Sequence, residues 1–401
     1  MTALVAIAYA GVTHAQTTVR ITGSTAYRAN THNAILHIYD PGVAYCYSGT
    51  SFSGSGQALF NGTIDGNPVT IKTSWTESER GIQTVAASIS VPFLVQPAPT
   101  AAPGGGAPLN CTQTELEVPD IAMSDNFQSS SAFFGLFRGV IYPALIESPN
   151  SPVGVVPFKF LANNGAPGGL NNITSQQARD LFAAGTLSLA YFTGNHADEN
   201  KTVIATGYDP FSGTRLTAMA ETGLGPQASV KNWEPLDCAG NLVRTVGTPI
   251  CHFVPWPAYE LYGIPIAIFN GGYGSDADLS KMMANTCPVN FTVVSYAGTN
   301  AADANAIPNG AVELSYNGVM LGNTGGNYNN ATVLTEGKYT LWGYEHMYYR
   351  SGTPAAVTNV ANGIALQLKN VDAAVRLSSM SVERITDGSV VFPSYSLTPP
   401  P

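Results

Sequence analysis

Charge is what this sequence has least of. Only 11% of its 401 residues are Asp, Glu, Lys or Arg, against about 25% in ordinary soluble domains. The deficit does not mark a disordered chain. Disordered segments are charge-rich and poor in aromatics, whereas here 10% of residues are aromatic and 44% apolar. Basic clusters are missing too. Seventeen Lys and Arg against 26 Asp and Glu leave a net charge of −9, without the basic footprint that nucleic-acid binding needs. Beyond the N-terminal segment no run reaches the roughly 18 apolar residues of a membrane span. No C-x-x-C, G-x-S-x-G, P-loop or H-E-x-x-H occurs, so zinc-ribbon, dithiol-redox, hydrolase, nucleotide and zincin chemistries have no motif to rest on. No enzyme is expected, and no cofactor or metal. His196 with Asp198 and Glu199 reads as a solvated loop, and His252 and His346 as structural.

What is present points outside the cell. Forty-one Gly and 27 Pro make up about 17% of the chain, above the roughly 12% average, which implies long loops. Residues 2–12 are apolar and Thr13-His14-Ala15 precedes Gln16 like a cleavage site, so residues 1–16 are expected to be a signal segment; the alternative is a buried first strand. Six Asn-x-Ser/Thr sites, at Asn61, Asn110, Asn172, Asn200, Asn290 and Asn330, permit glycosylation. Cys238 and Cys251 flank a Gly-containing turn and are expected to close a hairpin. Cys46 and Cys111 can pair in the N-terminal region, which leaves Cys287 over. A disulfide-permissive location, periplasmic or at the cell surface, is expected. Thr398 and the three prolines after it read as the start of a linker to a further tail.

Along the chain, strand patterns alternate with helical ones. Residues 17–22 alternate as a strand, a Gly-Ser-Thr turn follows, and residues 26–38 carry apolar positions at helical spacing. The strand-like 69–73 precedes a helix over 77–87, and a short buried strand, 119–123, leads into Ser124-Asp125. Residues 96–109 read as an exposed Pro/Gly loop. The pattern restarts near 153. Thr174 with Gln177 predicts a capping box for a helix to 184, and further helices are expected after Ser212-Gly213-Thr214 and over 276–284. An aromatic strand follows Tyr339; Tyr339, Trp342, Tyr344, Tyr348 and Tyr349 are expected to pack a hinge, the alternative being a sugar cleft. Such alternation implies α/β architecture with mixed, mostly parallel sheets covered by helices.

The recurring unit is a strand, a small hydroxyl or glycine turn, then a helix. It occurs at residues 23–25, more loosely at 74–78, and at 212–214. Helix N-termini carry about half a positive charge and free N–H groups, so such turns bind anions without basic side chains. Each taken singly is also an ordinary N-cap.

Five stretches in order (VRITGSTAY, PDIAMSDN, LNNITSQQARDLFAAG, YDPFSGTR, and NGGYGSDADLSKMM with VVSYAGT) make the chain similar to the phosphate-binding subunit of bacterial ABC transporters, a type II periplasmic solute-binding protein. The resemblance covers most of residues 17–350. It implies two α/β domains joined by a hinge: residues 17–150 with 336–401, and residues 151–335. It implies a small oxyanion, phosphate, held between them, and a membrane permease as partner. Matched to the family's pattern, Ser24, Thr25, Ser78, Ser212, Gly213, Thr214 and Arg215 would contact the anion. Asp125 would accept a hydrogen bond from a protonated one, which favours phosphate over sulfate.

Two features depart from the pattern. Gly207-Tyr208-Asp209 stands where the family has an oxyanion-gripping Arg, and the 74–80 stretch carries Glu77 and Glu79, with Arg80 as partial compensation. The alternative function is therefore a surface protein that reuses the fold and self-associates, since low charge suits interface cores.

Overall fold

A computed structural model describes residues 16–95 and 109–394. The expected signal segment, the Pro/Gly loop and the C-terminal linker lie outside the described residues. The elements that build the site are β1 (Thr17–Gly23), α1 (Arg28–Ile38), β2 (Gln57–Ile64), β3 (Asn67–Trp75), α2 (Ser78–Ala86), β4 (Ile121–Ser124), β5 (Gly154–Ala162), α3 (Ser175–Ala184), β6 (Thr202–Ala205), α4 (Gly213–Glu221), α5 (Asp276–Met283), β7 (Phe291–Gly298) and β8 (Trp342–Tyr349).

Local chemistry explains several of these boundaries. The strands β2 and β3 are joined by Asp65-Gly66, both at positive φ (49° and 73°), the two-residue turn whose twist matches a hairpin. The Thr174 hydroxyl accepts from Gln177 N while the Gln177 side chain accepts from Thr174 N, so the expected capping box opens α3. Ser212 Oγ accepts from Arg215 N at 3.3 Å and Ser275 Oγ from Asp278 N at 3.4 Å, which fixes where α4 and α5 begin.

One sheet runs through the molecule, in the order Thr186–Ser188, β6, β7, β5, β8, β4, β1, β3, β2, Ala44–Tyr47, Leu109–Asn110. It is mixed. Parallel pairs lie at the centre of each half, with β1 between β3 and β4 on one side and β6 beside β7 on the other. The halves are joined by β5 and β8. The first residues of β5 pair with β8 (Gly154 opposite Glu345 through Pro157 opposite Trp342) and its last five with β7. β8 likewise leaves β5 after Glu345 and continues against β4 from His346 onward. These two antiparallel strands hold the α/β fold together as one sheet, and each changes neighbours within a single residue step.

All nine residues of β5 are buried, as a strand covered on both faces requires. Its one charge, Lys159, donates to Asp303 at 2.8 Å and Glu313 at 2.9 Å and to Gly322 O. That set of partners is what allows an ammonium at zero exposure. Of the aromatics expected to pack together, Tyr339, Trp342 and Tyr344 are buried in the main core, Tyr348 is buried beside Val85 and Ala122, and Tyr349 is half-buried; His346 is clasped between Phe127 and Tyr348, with Nδ1 2.6 Å from Glu147. His196 is exposed and pairs only with Glu199, and His252 is exposed on a small hairpin. Cys46–Cys111 and Cys238–Cys251 are both bonded, leaving Cys287 free. Among the described residues no helix is long and apolar enough to cross a membrane.

Candidate functional site

Four helices begin at one point between the two halves. β1 ends at Gly23, where a φ of +117° and a position at which a β-carbon would lie 2.0 Å from Met123 O exclude a side chain. The chain then turns through Ser24 and Thr25 into α1. β3 delivers Glu77 and Ser78 to the start of α2, and β4 delivers Asp125. From the other half come Ser212, Gly213 and Thr214 at the start of α4, and Gly274 and Asp276 at the start of α5. Thr25, Glu77, Ser78, Asp125, Tyr208, Ser212, Gly213, Thr214 and Asp276 all line one small cavity. Its free space is about 10 Å³, which is room for about one water molecule.

The hydrogen bonds run inward, to carboxylates. Ser78 Oγ donates to Asp125 Oδ1 and Thr214 Oγ1 to Asp125 Oδ2 at 3.5 Å, so Asp125 is bonded from both halves. Asp276 accepts from the Tyr208 hydroxyl and from Gly298 N at 3.2 Å. Behind the cavity, Ser24 Oγ donates to Glu345 Oε2 at 3.0 Å, while Glu345 Oε1 is buried without a partner.

Burial sets the electrostatics. It pushes Asp125 up to about 6, against the lowering bond from Ser78. It raises Asp209 to about 6 although Phe211 N–H and Arg215 oppose it. Glu77 is driven well above the carboxylate range by burial and then by the nearby Asp209 and Asp125. Asp276 and Glu345 are raised by burial as well. Glu77 and Asp209 therefore share a proton at neutral pH, because two adjoining buried carboxylates cannot both ionise.

The residues proposed from sequence separate into two groups. Thr25, Ser78, Asp125, Ser212, Gly213 and Thr214 meet at the cavity, with Ser24 one layer behind. Arg215 does not join them. Its guanidinium points to the other side of α4, donating to Tyr208 O at 3.1 Å, Asn270 O at 2.8 Å and Ala228 O at 3.3 Å, and it lines a separate cavity of about 230 Å³ walled by Phe133, Phe137 and Phe211. Arg80 is also elsewhere, over the Tyr262 ring. Glu79 is buried away from the cavity, accepting from Ser131 Oγ and Asn126 Nδ2.

The sequence reading passed over Asp276, Tyr208, Glu345 and Arg28. Asp276 is signalled by its place after the Gly-rich NGGYGS, at the first turn of a helix. Arg28 is signalled by an oddity: a cation at the first residue of a helix, where the dipole disfavours it. Nothing local marks Glu345, which is a lone acid in an aromatic strand.

Against solved structures, the chain is similar to phosphate-transport receptors. One is described as a phosphate ABC transporter substrate-binding protein from Clostridium perfringens with bound phosphate (TM-score 0.46, 11% identity, 90% of this chain and 99% of that one). A second is an ABC-type phosphate transport receptor from Vibrio cholerae (0.41, 10% identity, 88% and 96%). A third is a phosphate-binding protein from Planctomyces limnophilus (0.39, 12% identity, 88% and 99%). No protein-family model and no curated protein sequence matches the chain. The functional reading therefore rests on the cavity itself.

Proposed function

We propose that this chain is a non-catalytic, exported solute-binding protein that captures a small phosphate-type oxyanion at the cavity between its two halves. The observation that carries the reading is the convergence of the four N-termini of α1, α2, α4 and α5. Each contributes free N–H groups and about half a positive charge, and the hydroxyls of Thr25 and Ser212 add donors, while those of Ser78 and Thr214 are engaged by Asp125.

The carboxylates decide which oxyanion. A charged Asp125 repels a fully ionised anion but accepts a hydrogen bond from a protonated one, so monoprotic phosphate species are selected and sulfate is not. The protonated Glu77–Asp209 pair lowers the repulsion further. Because the free space is about 10 Å³, entry requires the halves to part about β5 and β8 and to close on the ligand.

On this reading residues 17–150 with 336–401 form one domain and residues 151–335 the other, the protein works in the periplasm or outside the cell, and its partner is a membrane permease. Calorimetric titration of phosphate into phosphate-stripped protein tests it, with sulfate as the control. One-site binding that sulfate does not match, and that Asp125→Ala weakens at least tenfold, is the expected result. Silence from both anions with folded protein rejects it.

A further inference from the structure

The small cavity adjoins a groove of about 510 Å³ that shares Thr25, Ala26, Gly274 and Asp276 with it. An inorganic anion fills a few tens of Å³ and has no use for such a space. The groove falls instead in the size range of pockets for organic ligands. Its walls are mixed: Arg28, Ser53, Ser275, Asp276, Asn300 and Asn305 offer polar groups between alanines, with Trp75 the one large ring. Hydroxyls and amides both donate and accept, as the hydroxyls of a polyol do. The Trp75 indole is held rigid by its bond to His32 Nε2 at 2.9 Å.

Arg28 gives the groove its charge. Its only hydrogen bond runs from Nε to Ser53 O at 3.2 Å, and no carboxylate lies within ion-pair distance among the described residues. It is largely desolvated, its cationic form disfavoured by burial and supported at a distance by Asp276. It also sits at the first residue of α1, where the helix dipole opposes it. A half-buried guanidinium with both Nη groups free, placed against the local field, is what the charge of an anionic ligand would satisfy.

We propose, building on the oxyanion reading above, that the ligand is a phosphate monoester with a polyol-like body. The ester binds in its singly protonated form, its phosphate at the four helix N-termini and donating to Asp125, the organic body in the groove, and Arg28 answering its one negative charge.

The test uses the full chain in phosphate-free buffer at pH 5.5, where phosphate and its ester both carry a proton, and three probes: inorganic phosphate, glycerol 3-phosphate and glycerol. Calorimetry is expected to give glycerol 3-phosphate at least about tenfold tighter than phosphate, with glycerol silent. Ser53→Trp, a change on an exposed loop that narrows the groove, is expected to remove that advantage and leave phosphate within about twofold. Arg28→Gln is expected to weaken the ester more than phosphate. Phosphate binding as tightly as the ester overturns the proposal while leaving the oxyanion reading intact. So does a Ser53→Trp protein that loses both ligands equally. Glycerol binding as well as its phosphate overturns it by making the groove a polyol site. No binding of any probe by folded protein overturns both readings together.

Discussion

Asp125 and Gly213 meet so closely that a β-carbon on Gly213 would lie 1.6 Å from Asp125 Oδ1 and 2.8 Å from Ser78 Cβ. The two halves touch through the absence of a side chain. Gly213 is the first residue of α4 and its φ is not in the left-handed region, so alanine there favours the helix itself by up to about 1 kcal/mol. The clash falls entirely on closure. Gly213→Ala is expected to fold, to give a larger radius of gyration by small-angle X-ray scattering, and to lose at least tenfold in oxyanion affinity. An unchanged radius would show that the halves close without this contact.

Acidity should stabilise the closed protein. Asp125 and Asp209, raised by burial to about 6, bind protons in the folded state that an unfolded carboxyl near 3.9 has released. Stability is therefore full below about pH 4 for these groups and is lost as pH rises through 6. Glu79, raised by burial to about 7, carries the decline toward neutrality. The melting temperature is expected to fall between pH 5 and 7.5, and Asp125→Asn to flatten that fall. A melting temperature that rises over the interval would contradict the electrostatics of the cleft.

Arg215 is expected to matter for folding rather than for binding. Its guanidinium satisfies the carbonyls of Tyr208, Asn270 and Ala228 while 4% exposed. Arg215→Leu leaves those acceptors unpaired and should cost about 3 kcal/mol or more, read as a lower denaturant midpoint. The oxyanion affinity of the folded fraction should stay within about threefold. A larger loss would place the guanidinium in the binding machinery after all.

The two disulfides should differ in value. Cys46 and Cys111 are 65 residues apart and Cys238 and Cys251 only 13. Loop-closure entropy gives about 4 kcal/mol for the first and about 3 for the second. Guanidinium titration of the paired Cys→Ala variants should order them that way; the reverse order would mean that local packing outweighs chain entropy.

Glu345 tests the hinge. It is fully buried on β8 with one oxygen unpartnered, and burial and the nearby Asp125 charge hold it protonated. Glu345→Gln is expected to leave the melting temperature at pH 7.5 unchanged or raised, and to preserve binding. A marked loss of oxyanion affinity would give its proton a role in the cleft.

Much of this protein is written in local sequence. The capping box Thr174/Gln177, the Ser212 cap and the Asp65-Gly66 turn depend on residues within three positions of one another, and so do the strand-turn-helix units that supply Ser78, Asp125, Gly213 and Thr214. The order of those units was enough to suggest an α/β fold with anion-binding turns, and the family resemblance is what implied that they gather at a cleft. Side-chain direction was not legible in the same way. Arg215 follows a binding turn in sequence, yet one step along a helix rotates a side chain about 100°, which carries it to the opposite face of α4. Arg28, Asp276, Glu345 and the Glu77–Asp209 pair become a single electrostatic system only when β5 and β8 bring distant segments together. Their raised protonation is a property of shared burial, and burial belongs to no residue taken alone. Sequence by itself determined the elements and their caps, because caps and turns are short-range hydrogen bonding. The tertiary structure decided which charges face the cleft and how little space remains in it, because those depend on packing between distant segments, such as Ser24 and Glu345, 321 positions apart.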